Sequence, residues 1–324
     1  MRYSLAESVA RGERTSERGT VIRRAAACVA VAVALSSCGA DEPVSTSATT
    51  TGDDRAEEIQ DLQEKVRELK REREPEASEE STQLDLRPVV SGLDGEAAVA
   101  VITDERSVAE AGDLSETTAW STIKVPIAIR VIEDAGGPDG LSSAQASLIE
   151  RAITASDNEA AAELFASIAA EHGGEVAAAQ AVTDILRKAG KDQPDVSTEG
   201  RATFSSYGQT QWPVGRQAEF MAALADGRVA SPETQRYVLD LMGRITSDAW
   251  GLGGVGVQAR WKSGWGPAPD GGYLLRQMGI AELGDGPVVV ALAAAPADGT
   301  YESGQVLMTE IASRLIALAE GQAP

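Results

Sequence analysis

Ser121, Thr122, Ile123 and Lys124 place a hydroxyl and an amine three residues apart, and residues three apart on a helix share a face. Such a pair can act as nucleophile and base, because burial or a neighbouring cation lowers a lysine pKa, which arginine does not permit. If Ser121 opens a helix, its backbone N–H is one of the orphan donors that can stabilise a developing oxyanion. Ser156-Asp157-Asn158 follows 35 residues on. There a serine can pass a proton to a leaving group, and an asparagine amide can hold a substrate carbonyl and a lysine. Lys262-Ser263-Gly264 offers a cation and a hydroxyl for a substrate carboxylate, with a glycine that lets substrate approach the backbone. Each motif also has a plainer use: Ser121 and Ser156-Asp157 as helix caps, Lys124 as a surface lysine, and Lys262-Ser263-Gly264 as a bulged edge strand.

The elements that must position these residues are legible in outline. Strands are expected at Ala97–Thr103 and Ser107–Ala111. Helices follow at about Ser121–Ala135, Ser142–Thr154, Asp157–Ala170, Glu175–Ala189, Val214–Ala225 and Pro232–Met242. Ser231-Pro232 is a strong helix start, with serine as N-cap and proline at the first helical position. Three strands come next, near Gln258–Ser263, Tyr273–Ala281 and Pro287–Ala295, and an amphipathic helix from Gly304 to Glu320 closes the chain. The expected fold class is therefore α/β: an antiparallel sheet assembled from both chain ends, with a helical lobe inserted between them.

Composition narrows the chemistry. One histidine and two cysteines among 324 residues cannot furnish a His/Cys zinc site, so no metal or cofactor is expected. With 29 basic against 50 acidic residues, the net charge of −21 argues against nucleic acid. Gly251 to Gly256 matches GxGxxG, but it follows a helix and precedes a strand, the reverse of a dinucleotide fingerprint. His172, beside Gly173 and Gly174, fits a helix C-terminus. From Arg87 onward there are 13 arginines but only 4 lysines, and Lys124 and Lys262 are two of those four.

The chain begins with targeting signals. Arg23 and Arg24 precede the apolar run Ala25–Leu35, 11 residues long and too short to span a membrane, which is the pattern of a secretory signal over 1–37. Leu35-Ser36-Ser37-Cys38 resembles the lipobox of bacterial lipoproteins, which implies lipidation of Cys38 and a protein exported and tethered to the outer face of the cell membrane. Cleavage there removes six basic and three acidic residues, leaving 23 against 47 and a net charge of −24. Residues 38–86 are expected to form a linker and stalk. Its 53–80 segment carries 18 charges in 28 positions, with a short coiled-coil seam at Ile59, Leu62, Val66 and Leu69 or simply a charged helical spacer. Residues 87–324 are expected to hold the folded domain.

Taken in order, SxxK, SDN and K[ST]G are the signature set of serine β-lactamases and penicillin-binding proteins, and the sequence resembles that superfamily, most closely its class A β-lactamase-like branch. WSTIKVPIAIRVIEDAG is similar to the nucleophile helix and SPETQRYVLDLMGRI to the helix before the last strands. The resemblance covers roughly 97–321. It implies Ser121 as the acylated nucleophile, Lys124 as its base and Ser156 as a proton relay. Asn158 becomes a substrate clamp, Lys262 and Ser263 with Gly264 a carboxylate anchor, and the backbone N–H groups of Ser121 and Trp265 an oxyanion hole. Arg276, on the following strand, is a second carboxylate contact or an ordinary strand-face arginine. Trp120, Trp261 and Trp265 flank the motifs and either wall the pocket or pack beneath it.

Two departures qualify the resemblance. The ExxLN motif whose glutamate activates the deacylating water in class A enzymes does not occur. The stretch 195–213 offers only Glu199, in the wrong setting, with Gln209 and Gln211 beyond it. The 35-residue step from Ser121 to Ser156 implies an abbreviated helical lobe. Three functions follow as expectations: a serine hydrolase acylated by β-lactams or related peptides, a penicillin-binding-protein-like D-Ala-D-Ala peptidase or slow acyl trap, and a non-catalytic cell-envelope lipoprotein.

Overall fold

Alternation explains the centre of the molecule. In β1 (Gly95–Ile102), Ala98, Ala100 and Ile102 face one core while Ala97, Val99 and Val101 face another. The last strand, β5 (Gly286–Pro296), repeats the pattern, with Val289, Ala291 and Ala293 on the first side and Val290, Leu292 and Ala294 on the second. A strand covered on both faces has no polar side to show, which is why both segments read as nearly continuous apolar runs. These two strands pair antiparallel from Gly95↔Pro296 to Ile102↔Val289. β2 (Val108–Gly112) flanks β1, while β4 (Tyr273–Leu283) and then β3 (Ala259–Pro267) flank β5. The sheet order is therefore β2-β1-β5-β4-β3, antiparallel throughout. The sheet is assembled from both chain ends, as expected.

The computed structural model describes Lys65 and residues 84–103, 107–114, 117–245, 247–284 and 286–322. All of these except Lys65 lie in one unit, Ala77–Pro324. Cys38 and the seam at Ile59, Leu62, Val66 and Leu69 lie outside the described residues. Among those described, no helix is long and apolar enough to cross a membrane, and no cluster of metal-ligating side chains occurs.

One face of the sheet is covered by the short α1 (Arg87–Val90) and the closing helix, α8 (Tyr301–Ala319), whose Leu307, Met308, Ile311 and Leu315 are buried. The opposite face carries the inserted helices. α2 (Lys124–Asp134) buries eight of its eleven residues and forms their centre. Around it lie α3 (Ser143–Thr154), α4 (Asn158–His172), α5 (Glu175–Arg187), α6 (Val214–Ala225) and α7 (Pro232–Met242). The capping signals are used as the sequence implies. Ser142 forms a capping box with Gln145, and the Ser231 hydroxyl accepts from Thr234 N. His172 ends α4, Gly173 turns left-handed after it at φ 96°, and the imidazole pairs with Asp134 at 3.1 Å.

Most boundaries shift by one to three residues from expectation, and two of the shifts have a visible cause. β3 continues past Ser263 to Pro267, because its ladder with β4 runs on to Pro267↔Tyr273. α8 begins at Tyr301 instead of Gly304, since the Thr300 side chain caps Ser303 N.

Candidate active site

Ser121 sits in a tight 3-10 turn, Trp120–Ile123, that runs directly into α2, so Lys124 is the first residue of the α-helix proper. Trp120 adopts φ 49°, a left-handed conformation costly for a bulky residue, immediately before the serine. The turn is braced from below: Thr122 Oγ1 donates to Ala119 O at 2.6 Å, and buried Gln217 donates through Nε2 to Thr122 Oγ1 at 2.8 Å.

Lys124 is buried, and its Nζ donates to Ser156 O at 2.5 Å and Asn158 Oδ1 at 2.7 Å, with Ser156 Oγ at 3.5 Å. A neutral amine has two N–H bonds and one lone pair. Carbonyls that satisfy both N–H groups leave the lone pair free to take a proton. Burial, with the positive charge of Lys262 second, lowers the Lys124 pKa to about 7. Ser156 has φ 54°, and it lies between α3 and α4 because Asp157 takes the capping role. Asp157 Oδ1 accepts from Glu159 N and Ala160 N, and Oδ2 accepts from Arg151 Nε. The capping explanation therefore belongs to Asp157, and the Ser156 hydroxyl is left to the lysines.

From the sheet side, Lys262 Nζ donates to Ser156 Oγ at 2.8 Å and to Ser263 O at 2.9 Å. Complete burial lowers its pKa to about 8. Since Ser156 Oγ accepts from Lys262, its own proton is available to a leaving group or to Lys124. The structure thus brings Lys124, Ser156, Asn158 and Lys262 into one hydrogen-bonded network beside the Ser121 turn.

β3 explains the remaining motif by its pleat. Lys262, Gly264 and Gly266 face the helical layer. A Cβ on Gly264 would lie 2.8 Å from Ala119 O, 2.9 Å from Ser121 N and 3.0 Å from Thr122 N, and one on Gly266 would strike the Trp120 ring. The space beside Gly264 is thus filled by the Ser121 turn, not left open for substrate as expected. Gly264 positions Ser121. Gly264→Ala should slow acylation by about 100-fold, since a shift of about 1 Å in a reacting group costs that much. Time-resolved intact mass with a β-lactam checks it.

Ser263 and Trp265 point to the other face. Ser263 Oγ accepts from Gln277 Nε2 at 3.1 Å, and the same amide donates to Trp250 O at 2.9 Å while its Oε1 accepts from Leu252 N at 2.8 Å. The register sets Gln277 across from Ser263 and Arg276 across from Gly264. A shift of one residue reverses the face, and this corrects the expectation for Arg276. Arg276 has no exposed surface, and its guanidinium donates to the carbonyls of Thr117 (2.5 Å), Thr118 (2.8 Å) and Trp212 (2.7 Å). It ties the segment entering the Ser121 turn to the segment entering α6, and is not a carboxylate contact. Arg276→Ala should lower stability by at least about 3 kcal/mol, measurable by denaturant unfolding, because it removes charged hydrogen bonds to three carbonyls.

The stretch 195–213 holds no carboxylate at the turn. Glu199 is exposed, on a local turn in which its N–H and C=O bond the Ser197 hydroxyl. Arg201 lies beside the turn: its guanidinium is 5.6 Å from the Trp120 ring centroid and 5.3 Å from that of Phe204. It donates to Gln209 Oε1 at 3.1 Å and to Pro267 O. Gln211 is spent on the strand before the turn, accepting from Thr117 Oγ1 at 2.8 Å and donating to Thr118 Oγ1 at 3.0 Å. Sequence reasoning missed Gln277, Gln217, Arg201 and Asp248. Asp248 is only 8 % exposed, and its negative charge opposes the fall in both lysine pKa values. Gln277 had a signal, a lone amide in the apolar strand LLRQMG, whereas Arg201 had none. Of the three tryptophans, Trp120 is buried beside Phe204 (5.0 Å, edge-on), Trp261 is half-buried, and Trp265 is exposed.

Residues 137–318 match the model of the beta-lactamase enzyme family, more than half of the chain, and the chain belongs to that family. No curated protein matches the sequence. Among solved structures, the chain is similar to the TLA-3 extended-spectrum beta-lactamase at 15 % identity, covering 74 % of this chain and 98 % of that one with a TM-score of 0.58. It is also similar to a beta-lactamase from Chitinophaga pinensis (16 % identity, 71 % and 96 % covered, TM-score 0.57). A class A beta-lactamase from Bacteroides cellulosilyticus matches at 12 % identity, with 73 % and 96 % covered and a TM-score of 0.57. The fold is that of the class A β-lactamases. At family level the chain is a serine hydrolase of the β-lactamase type, a class whose substrates are small β-lactams.

Proposed function

We propose that the protein is an exported, lipid-tethered acyl-transfer enzyme in which Ser121 is acylated by β-lactams or related peptides and the resulting ester is hydrolysed slowly. The observation that carries this reading is the network in which Lys124 is buried, bonded to Ser156 O and Asn158 Oδ1, and shares Ser156 with Lys262. In the acylation step, Ser121 Oγ forms a bond to the lactam carbonyl carbon as its proton passes to Lys124 Nζ. The C–N bond then breaks, and the nitrogen takes a proton from Ser156 Oγ, which is replenished from Lys124. The N–H groups of Ser121 and Trp265 hold the oxyanion. Lys262 supplies positive charge for the substrate carboxylate, and Ser263, hydrogen-bonded to Gln277, has its own proton to donate to the same group.

Deacylation requires a base for water. General-base catalysis contributes about 10²–10⁴-fold, and among the described residues the stretch 195–213 brings no carboxylate to the turn to provide it. Arg201 beside Trp120 therefore favours a second reading, a penicillin-binding-protein-like peptidase or slow acyl trap. Export and attachment through Cys38 rest on the lipobox, and intact mass of the membrane-extracted protein, with Cys38→Ser as control, tests them.

One experiment separates the catalytic readings. The protein is incubated with a β-lactam, its mass is followed, and turnover of a chromogenic cephalosporin is measured. Steady turnover supports the hydrolase, and a persistent adduct supports the peptidase or trap. Folded protein showing neither overturns both and leaves a non-catalytic envelope protein.

A further inference from the structure

Among the described residues, few large apolar side chains are exposed, and the only aromatic one is Trp265, at 43 %. It follows the Lys262-Ser263-Gly264 motif and lies two residues from Ser263 on the same face of β3, about 7 Å along an extended strand. Its ring is supported from behind. The Tyr301 ring centroid is 4.7 Å away and that of Tyr273 6.3 Å, with the two tyrosines 5.7 Å from each other. The three rings come from three elements, the ends of β3, β4 and α8 that meet beside the site.

This corner is held in place before any ligand arrives. In the β3–β4 turn, Ala268 N donates to Gly272 O at 2.6 Å and Gly271 N to Ala268 O at 3.0 Å. Tyr273 N donates to Gly299 O at 3.1 Å, fastening that turn to the loop that precedes α8. Asp298 accepts from Thr300 N and Ser303 Oγ, fixing the helix start that carries Tyr301. The corner is also continuous with the motif strand: Trp265 lies two residues beyond Ser263 on β3, and Tyr273 pairs with Pro267 at the end of the same ladder.

A rigid exposed indole with no partner on its outer face is suited to a flat ring with an apolar face. The charge on the two segments that frame the corner narrows the choice of ring. Asp270, in the β3–β4 turn, and Glu302, next in sequence to Tyr301, are exposed carboxylates, which accept hydrogen bonds from hydroxyls and repel anions. A neutral pyranose has an apolar C–H face and a hydroxyl edge, and meets both requirements. An anionic or purely hydrocarbon group meets one at most.

We infer that Trp265, backed by Tyr301 and Tyr273, is a stacking subsite for a sugar ring, so that the preferred substrate of the Ser121 site carries a neutral glycan. The inference rests on the acyl-transfer reading, and its test is independent of acylation. A β-1,4-linked tetramer of N-acetylglucosamine is titrated into the protein while tryptophan fluorescence and the indole N–H resonances are followed. Binding is expected in the wild type and in Ser121→Ala. Trp265→Ala should weaken it by at least about tenfold, the loss of a single stacking contact, and Trp265→Phe should restore part of it. No binding at millimolar tetramer, or equal binding by Trp265→Ala, overturns the subsite. An aromatic amide that perturbs the Trp265 resonance while the tetramer does not also overturns it. Tetramer binding without any β-lactam adduct would leave the subsite standing and remove the acyl-transfer reading.

Discussion

Ser121→Ala is expected to form no covalent adduct with any β-lactam, and to lose acylation by more than about 1000-fold, because the ester forms at the Ser121 hydroxyl while Ser156 serves only to pass protons. Fold and stability should be nearly unchanged, since Ser121 is half-buried and its removal leaves the Thr122 and Gln217 braces intact. The measurement is intact mass over time beside a thermal melt. An adduct that persists in Ser121→Ala would move the nucleophile elsewhere and dissolve the mechanism.

The second large effect concerns Lys124, and its sign follows from the two lysines. A base works when unprotonated. With the Lys124 pKa lowered to about 7, acylation should climb as pH rises through about 7. Lys262 works when charged. With its pKa lowered to about 8, the hold on a substrate carboxylate should fail as pH rises through about 8. Acylation efficiency should therefore peak in a narrow window between the two. Lys124→Met should lower the rate by about 10³-fold and erase the lower limb while leaving the upper one. Lys124→Arg should be no better, because a guanidinium keeps its proton throughout this range. A Lys124→Met profile that retains the lower limb would assign the base to another group.

Much of this is legible in the sequence. The helices at Val214–Ala225 and Pro232–Met242 fall on the expected residues, because each carries clear periodicity and the second carries a Ser-Pro start. The motif residues Lys124, Ser156, Asn158 and Lys262 could be grouped from sequence because the superfamily signature fixes their order. Their hydrogen bonds then follow from where α2, the α3–α4 junction and β3 meet. What sequence could not give was the facing of the edge strand. Arg276 and Gln277 are adjacent in sequence, and only the pairing register decides which stands across from Ser263. Gly264 is a similar case: a glycine in a strand marks a close approach, but not whether ligand or backbone makes it. Arg201 lay beyond reach for a different reason. Its placement over Trp120 depends on the path of the irregular stretch 195–213, where neither alternation nor helical spacing constrains the chain.

The pairing of β1 with β5 has a consequence for how the protein is made. The partners in this central ladder are separated by about 190 to 200 positions of chain, so the sheet has no middle until β5 is available. Folding dominated by such distant contacts is slow. Lys262, on a strand reached only through β4 and β5, stays apart from Ser156 until that ladder closes. A chain emerging vectorially, from a ribosome or a translocation pore, therefore carries Ser121 for most of its passage as an ordinary hydroxyl. The site is armed only once β5 has emerged.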